Sequence, residues 1–167
     1  EKQAPRLAAA LPRLLSLLDA AGLEGTEIWM LGREQAGGVT ESVNGLGDPR
    51  VRAFHSNDPQ SVLATSKVFL SLQRSTNHPS KALLEAMACG CAPVVTDTRD
   101  SRLTAPEGLA TYVPRDFTAD DLARACVPLL RRPDAEVDRV TAAMRAHLAA
   151  RFSIRAMSDY YLELYEA

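Results

Sequence analysis

Helix-like and strand-like apolar patterns alternate along this chain from end to end. Leucines at 7, 11, 14, 15 and 18 form one helical stripe between Arg6 and Ala21, and Gly22 ends it. Pro12 is awkward inside that stripe and predicts a kink. Glu27 to Leu31 reads as a strand, Val39 to Leu46 as a short helix and Val51 to His55 as a second strand. Asp58-Pro59 supplies an N-cap with Pro at the first helical position, starting a helix that ends near Thr65. Lys67 to Leu72 is the next strand, followed by a short helix that stops at Gly90 and a buried strand, Pro93 to Thr96. A polar loop spans Asp97 to Glu107, and Leu109 to Val113 is a further strand. Thr118 with Asp121 three residues later resembles a capping box, opening a helix that carries Leu122, Cys126, Leu129 and Leu130. Asp134 to Arg151 is helical, with Val137, Val140, Met144 and Leu148 on one stripe. Ser153 caps a last helix bearing Met157, Tyr160, Tyr161 and Leu164.

Strands that alternate with helices predict an α/β fold, a Rossmann-like parallel sheet with helices on both faces. A doubly wound sheet binds ligands beyond the carboxyl ends of its strands. The loop Gln73 to Ser80 follows a strand and so lies at that edge. No repeat, low-complexity run or dividing linker is visible. The expected organisation is one domain, residues 1–152, with a C-terminal helix, residues 153–167, at its edge.

The segment from Asn77 to Gly90, Asn-His-Pro-Ser-Lys-Ala-Leu-Leu-Glu-Ala-Met-Ala-Cys-Gly, is the most informative. Pro79 sits where a first helical turn tolerates it, and Gly90 can adopt the left-handed cap that ends the helix. A helix N-terminus offers free N–H groups and a positive dipole end to a phosphate. Glu85, about two turns in, offers a carboxylate that can accept ribose hydroxyls. Residue spacing alone suggests an anionic, sugar-bearing ligand.

The same segment resembles the donor-binding loop and helix of family-4-type retaining glycosyltransferases with the GT-B fold, whose pattern is similar to Glu-Gly-Phe-Gly-x-x-x-x-Glu-Ala-Met-Ala-x-Gly-x-Pro-Val-Val. Leu84 to Val95, Leu-Glu-Ala-Met-Ala-Cys-Gly-Cys-Ala-Pro-Val-Val, carries the likeness. Weaker likenesses lie at Glu1-Lys2, at Ile28 to Gly32 and at Phe152 to Leu164. The resemblance spans essentially the whole chain but only the C-terminal half of such an enzyme. It implies a nucleoside-diphosphate sugar as donor substrate, no cofactor, and an acceptor site and N-terminal GT-B half outside this chain. The resembled domain also begins with a strand ahead of the helix near Arg6. That strand is central in the order 3-2-1-4-5-6, and its absence leaves unpaired backbone on both neighbours. Either preceding residues supply it or another segment fills the slot.

By the same resemblance, Glu85 accepts the ribose hydroxyls, and the amides from His78 to Ala82, with Ser80, meet the diphosphate or sugar. Lys81 and Leu84 belong to the same donor-binding stretch, and Lys2 offsets charge on the leaving diphosphate. Ser80 has a competing role as a plain helix cap. The family's first Glu is replaced: eight residues before Glu85 stands Asn77, preceded by Thr76. Asn77 can hydrogen-bond a hydroxyl but carries no negative charge. A sibling pattern, Glu-Asn-Tyr-Pro-Ser-x-x-Leu-Leu-Glu, also resembles the segment, with Thr76 in place of its Glu. Arg33 and His55, at strand ends on the binding edge, are further donor-site candidates. Arg99 and Arg102 face the same edge. His78 has packing as its competing role, and His147, on a charged helix, reads as solvated.

A net charge of −2 over 167 residues argues against a nucleic-acid module, which would be clearly basic. No stretch approaches the roughly 18 apolar residues of a membrane span, and no signal peptide is visible. Cytoplasmic placement is expected, or a peripheral one at the inner membrane face. Glu1 is not an initiator Met, which points to a longer parent protein. Cys89, Cys91 and Cys126 suit free thiols in a reducing compartment. Cys89-Gly90-Cys91 has no second Cys/His cluster nearby and reads as two small residues flanking a helix stop. No metal-ligand spacing is present, which suits metal-independent donor binding. The alternative function is a non-catalytic nucleotide-binding or interaction module derived from the fold.

Overall fold

A computed structural model describes residues 3–32, 38–75, 78–98 and 100–166. Thirteen elements alternate as expected: α1 (Ala4–Ala20), β1 (Ile28–Leu31), α2 (Val39–Asn44), β2 (Val51–Phe54), α3 (Pro59–Ala64), β3 (Val68–Ser71), α4 (Lys81–Cys89), β4 (Ala92–Thr96), α5 (Ser101–Thr104), β5 (Thr111–Val113), α6 (Ala119–Leu130), α7 (Asp134–Phe152) and α8 (Ile154–Glu166). Local chemistry sets several boundaries. The Asp58 carboxylate accepts the Ser61 amide to start α3. Thr118 and Asp121 form a complete, reciprocal capping box at α6, and Ser153 Oγ accepts the Ala156 amide at α8. Four-residue α5 interrupts the loop expected between Asp97 and Glu107. α1 is a single helix through Pro12.

All strand pairs are parallel, yet they form two sheets rather than the single sheet expected: β1-β2 and β3-β4-β5. The period-2 rule separates their faces. Ile28, Met30, Val51 and Ala53 of one sheet and Val68, Leu70, Val94 and Val113 of the other pack into one core with α1, α2 and α6. Phe69, Val95 and Tyr112 turn to the opposite face, against Leu83 and Met87 of α4 and Val140 and Met144 of α7. Helices therefore cover both faces. The β1→β2 connection crosses through α2 on the α1 face, whereas β3→β4 crosses through α4 on the other. α1, packed between α2 and α6, spans the seam between the two sheets. Among the described residues no bridge joins β1 to β3, so the helix layer holds the sheets together instead of a continuous ladder.

The leucine stripe of α1 supplies much of the shared core. Leu7, Leu11, Leu14, Leu15 and Leu18 are all buried, as are Leu122, Cys126 and Leu129 of α6. Each such leucine contributes about 1.5–3 kcal/mol by leaving water. α8 is the exception: it packs on α7 and leaves Ile154, Met157, Tyr161, Leu162 and Tyr165 exposed. The side chains of Tyr160 and Leu164 lie outside the described set.

Candidate functional site

The site candidates gather where β3 exits its sheet and α4 begins. Thr96, at the end of β4 and fully buried, ties down that exit. Its hydroxyl donates to Gln73 O and accepts the Gln73 amide, each at 2.8 Å. Gln3 adds a second tie: its amide donates to Leu72 O at 3.1 Å, and its Nε2 donates to Gln73 O and to Arg115 O. The start of α1 is thereby fixed to the carboxyl ends of β3 and β5. Neither residue was singled out from the sequence. A buried threonine closing an apolar strand was the available hint for Thr96, while Gln3 had none.

Pro79 does not enter the helix; Ser80, extended and 6 % exposed, is the N-cap. Its hydroxyl makes no cap bond, so the capping role is not realised. The amides of Lys81, Ala82 and Leu83 are taken by no cap among the described residues. Lys81, Ala82, Glu85 and Ala88 are exposed, while Leu83, Ala86 and Met87 are buried and Leu84 is half-buried. Exposed positions three and four apart share one face. Lys81 and Glu85 thus flank the uncapped helix start without pairing, and Glu85 has no hydrogen-bond or ion-pair partner among the described residues. Gly90, at φ +93°, ends the helix as expected.

His78 is exposed but engaged, its Nδ1 2.8 Å from Thr104 Oγ1 and its ring edge-on to Phe152. His147 is half-buried rather than solvated. Its Nε2–H donates to Thr104 O at 3.1 Å and its ring also meets Phe152. The correction is tertiary in origin, because residues far apart in sequence enclose the imidazole. His55, exposed at the end of β2, bonds Asn57 and not residues 78–85. Arg102 is committed to Asp97 by a two-pronged ion pair at 3.1 and 2.8 Å and stacks over Tyr112. That hydrogen-bonded guanidinium holds the Asp97 carboxyl below the usual carboxylate range. Lys2, Arg33, Thr76, Asn77 and Arg99 lie outside the described residues.

Cys91 is buried, its thiol donating to Leu63 O at 3.1 Å; burial pushes it up to about 11, and Cys126 to about 12. Among the described residues no group of three His, Cys, Asp or Glu could hold a metal, and no helix is long and apolar enough to cross a membrane.

An exposed, unpaired carboxylate and lysine beside an uncapped helix start can together receive a ligand bearing both anionic groups and hydroxyls. Comparison with known proteins gives the family. The family model for glycosyl transferases group 1 matches residues 1–132, from α1 through α6. No curated protein matches the chain. A family match over most of the chain, on a parallel α/β fold with this motif at the carboxyl edge of its strands, supports a role in glycosyl transfer by the intact protein and implies a sugar donor and an acceptor. The chain belongs to the glycosyl transferases group 1 family.

Proposed function

We propose that this chain is the donor-binding half of a retaining glycosyltransferase, which takes a nucleoside-diphosphate sugar without a metal. The carrying observation is Glu85. It stands exposed on the face of α4 that also presents Lys81, with no partner among the described residues and next to amides that no cap among them consumes. In this reading Glu85 accepts two ribose hydroxyls, while the amides of Lys81 and Ala82, with Ser80, meet the diphosphate. Lys2 adds charge at the leaving group, and the acceptor site lies in an N-terminal half that closes over the donor. The exposed apolar side of α8 is where that half docks.

The test is Glu85→Gln in the intact protein, with UDP, GDP and ADP titrated by calorimetry. A hydrogen bond to a charged group is worth roughly 1.5–3 kcal/mol. Removing the charge while keeping the shape should therefore weaken the preferred nucleotide by about tenfold or more. Glu85 is exposed and bonds nothing among the described residues, so the fold should be unaffected. Unchanged affinity for all three nucleotides would remove the donor-site assignment. Asn77 favours a second reading, a binding module without turnover, because the carboxylate that faces the transferred sugar in the resembled pattern is missing. Asn77→Glu separates the two: a gain in transfer with unchanged nucleotide affinity identifies an enzyme whose sugar handling this position sets.

A further inference from the structure

Three parts of the molecule that are remote in sequence meet at Thr104. Its side chain is 1 % exposed, at the end of α5. On one side its hydroxyl bonds His78 Nδ1 at 2.8 Å, two residues ahead of the α4 N-cap. On the other its carbonyl accepts the His147 Nε2–H at 3.1 Å, from α7. Phe152, the last residue of α7, closes the cluster with its ring centroid 6.1 Å from His78 and 5.8 Å from His147, edge-on to both. Thr104 is itself well held. Ser101 O accepts the Ala105 amide, Ser101 Oγ donates to Thr98 O at 2.6 Å, and Tyr112 Oη donates to Ala105 O. Ala105 belongs to the core shared by α4 and α7.

We propose that Thr104 is a positioning residue for the donor site. It holds His78, and so the approach to α4, to the junction of α7 and α8 through His147 and Phe152. Among the described residues of the segment 78–80, His78 alone has a side-chain bond to another element. That bond therefore ties the approach to the uncapped amides of Lys81 and Ala82 to Thr104. Phe152 lies two residues before α8, whose apolar side is exposed. Whatever displaces α8 moves Phe152, and the displacement reaches the ligand through His78. The proposal rests on the donor-site reading and adds a control to it: the conformation of the α7–α8 junction sets nucleotide affinity.

The experiment uses the intact protein and the same titrations of UDP, GDP and ADP. Thr104→Val keeps the volume and removes the hydroxyl. One neutral hydrogen bond sets the scale, so affinity should fall about three- to tenfold, and Thr104→Ser should restore it. His78→Ala should weaken binding by a similar factor and add nothing in the Thr104→Val background, because both remove one bond. Phe152→Leu, remote from the helix start, should also weaken binding. A purely structural role would lower thermal stability in Thr104→Val without this pattern of rescue and non-additivity. Wild-type affinity in Thr104→Val, or independent effects of His78→Ala and Thr104→Val, would overturn the proposal. If the wild type binds none of the three nucleotides, the donor-site reading has failed. The positioning claim is then judged on the Lys81 and Ala82 amide resonances, which must shift in both Thr104→Val and Phe152→Leu; unshifted resonances overturn it.

Discussion

Gly90→Ala is the sharpest test of how the signature helix is seated. Gly90 has φ +93°, a region that L side chains rarely adopt. Its amide donates to Met87 O at 3.1 Å and the Cys91 amide to Ala86 O at 3.0 Å. This is the paired pattern of a Schellman cap, which depends on that left-handed turn. Forcing alanine into it costs about 1–2 kcal/mol. A second cost comes from packing. A Cβ at Gly90 would stand 3.2 Å from both Cγ2 and Oγ1 of Thr141. Thr141 lies on α7 beside buried Val140, with Met144 buried one turn on, so the helix cannot easily retreat and the Thr141 side chain must turn. Turning it off its rotamer adds roughly 0.5–1.5 kcal/mol. The total is about 1.5–3.5 kcal/mol, read as a lower midpoint in equilibrium urea unfolding at unchanged slope. Pairing Gly90→Ala with Thr141→Ala should recover the contact part alone, corrected for Thr141→Ala by itself. A Gly90→Ala protein that unfolds with wild type would show that neither the left-handed cap nor the α4–α7 contact is as described.

Two further outcomes follow from the fold. Hydrogen exchange should protect both edges of β4 and leave alternate amides of β1 and β3 fast, because those strands each lack a partner on one edge among the described residues; uniform protection across all five strands would contradict the seam. Burial raises the Cys126 and Cys91 thiols to about 12 and about 11. Their contribution to stability is complete below the ordinary thiol pKa of about 8.5 and is lost as pH rises through the folded values. Thermal unfolding of the wild type should therefore fall more steeply between about pH 9 and 11 than that of Cys91→Ala/Cys126→Ala, and parallel profiles would refute it.

The parts legible in the sequence are those that local chemistry decides. The α1 stripe, the Thr118–Asp121 capping box, the Asp58 cap and the Gly90 stop each depend on residues within a few positions of one another, and each is found in the structure. The errors concern which partner a side chain finds once the chain is folded. His147 sits between Arg145 and Arg151 and so looked solvated, yet its partner Thr104 is 43 residues away. Ser80 has the chemistry of a cap but its hydroxyl leaves the helix start open. Arg102, expected at the binding edge, is held by Asp97 and stacks over Tyr112. The split of the sheet could be anticipated only as a missing strand, because no residue pattern shows how two open edges will settle.

The signature segment itself serves two ends, and the structure separates them. Ala86 and Met87 are fully buried, and Ala86 packs with Leu63 of α3 and Cys91 in a small cluster of its own. A larger side chain at Ala86 would push α4 away from α3, overpacking that typically costs 1–3 kcal/mol. The small residues of Glu-Ala-Met-Ala-Cys-Gly therefore read as a packing code that seats a short helix tightly on its sheet. Glu85, in the same run, contributes nothing to that packing, being exposed and without a bond among the described residues. A carboxylate that leaves the packing of its helix untouched can be replaced without disturbing the fold, which is what lets Glu85→Gln test the proposed donor site separately from stability. The proposed function therefore turns on Glu85, while Ala86 and Met87 seat the helix.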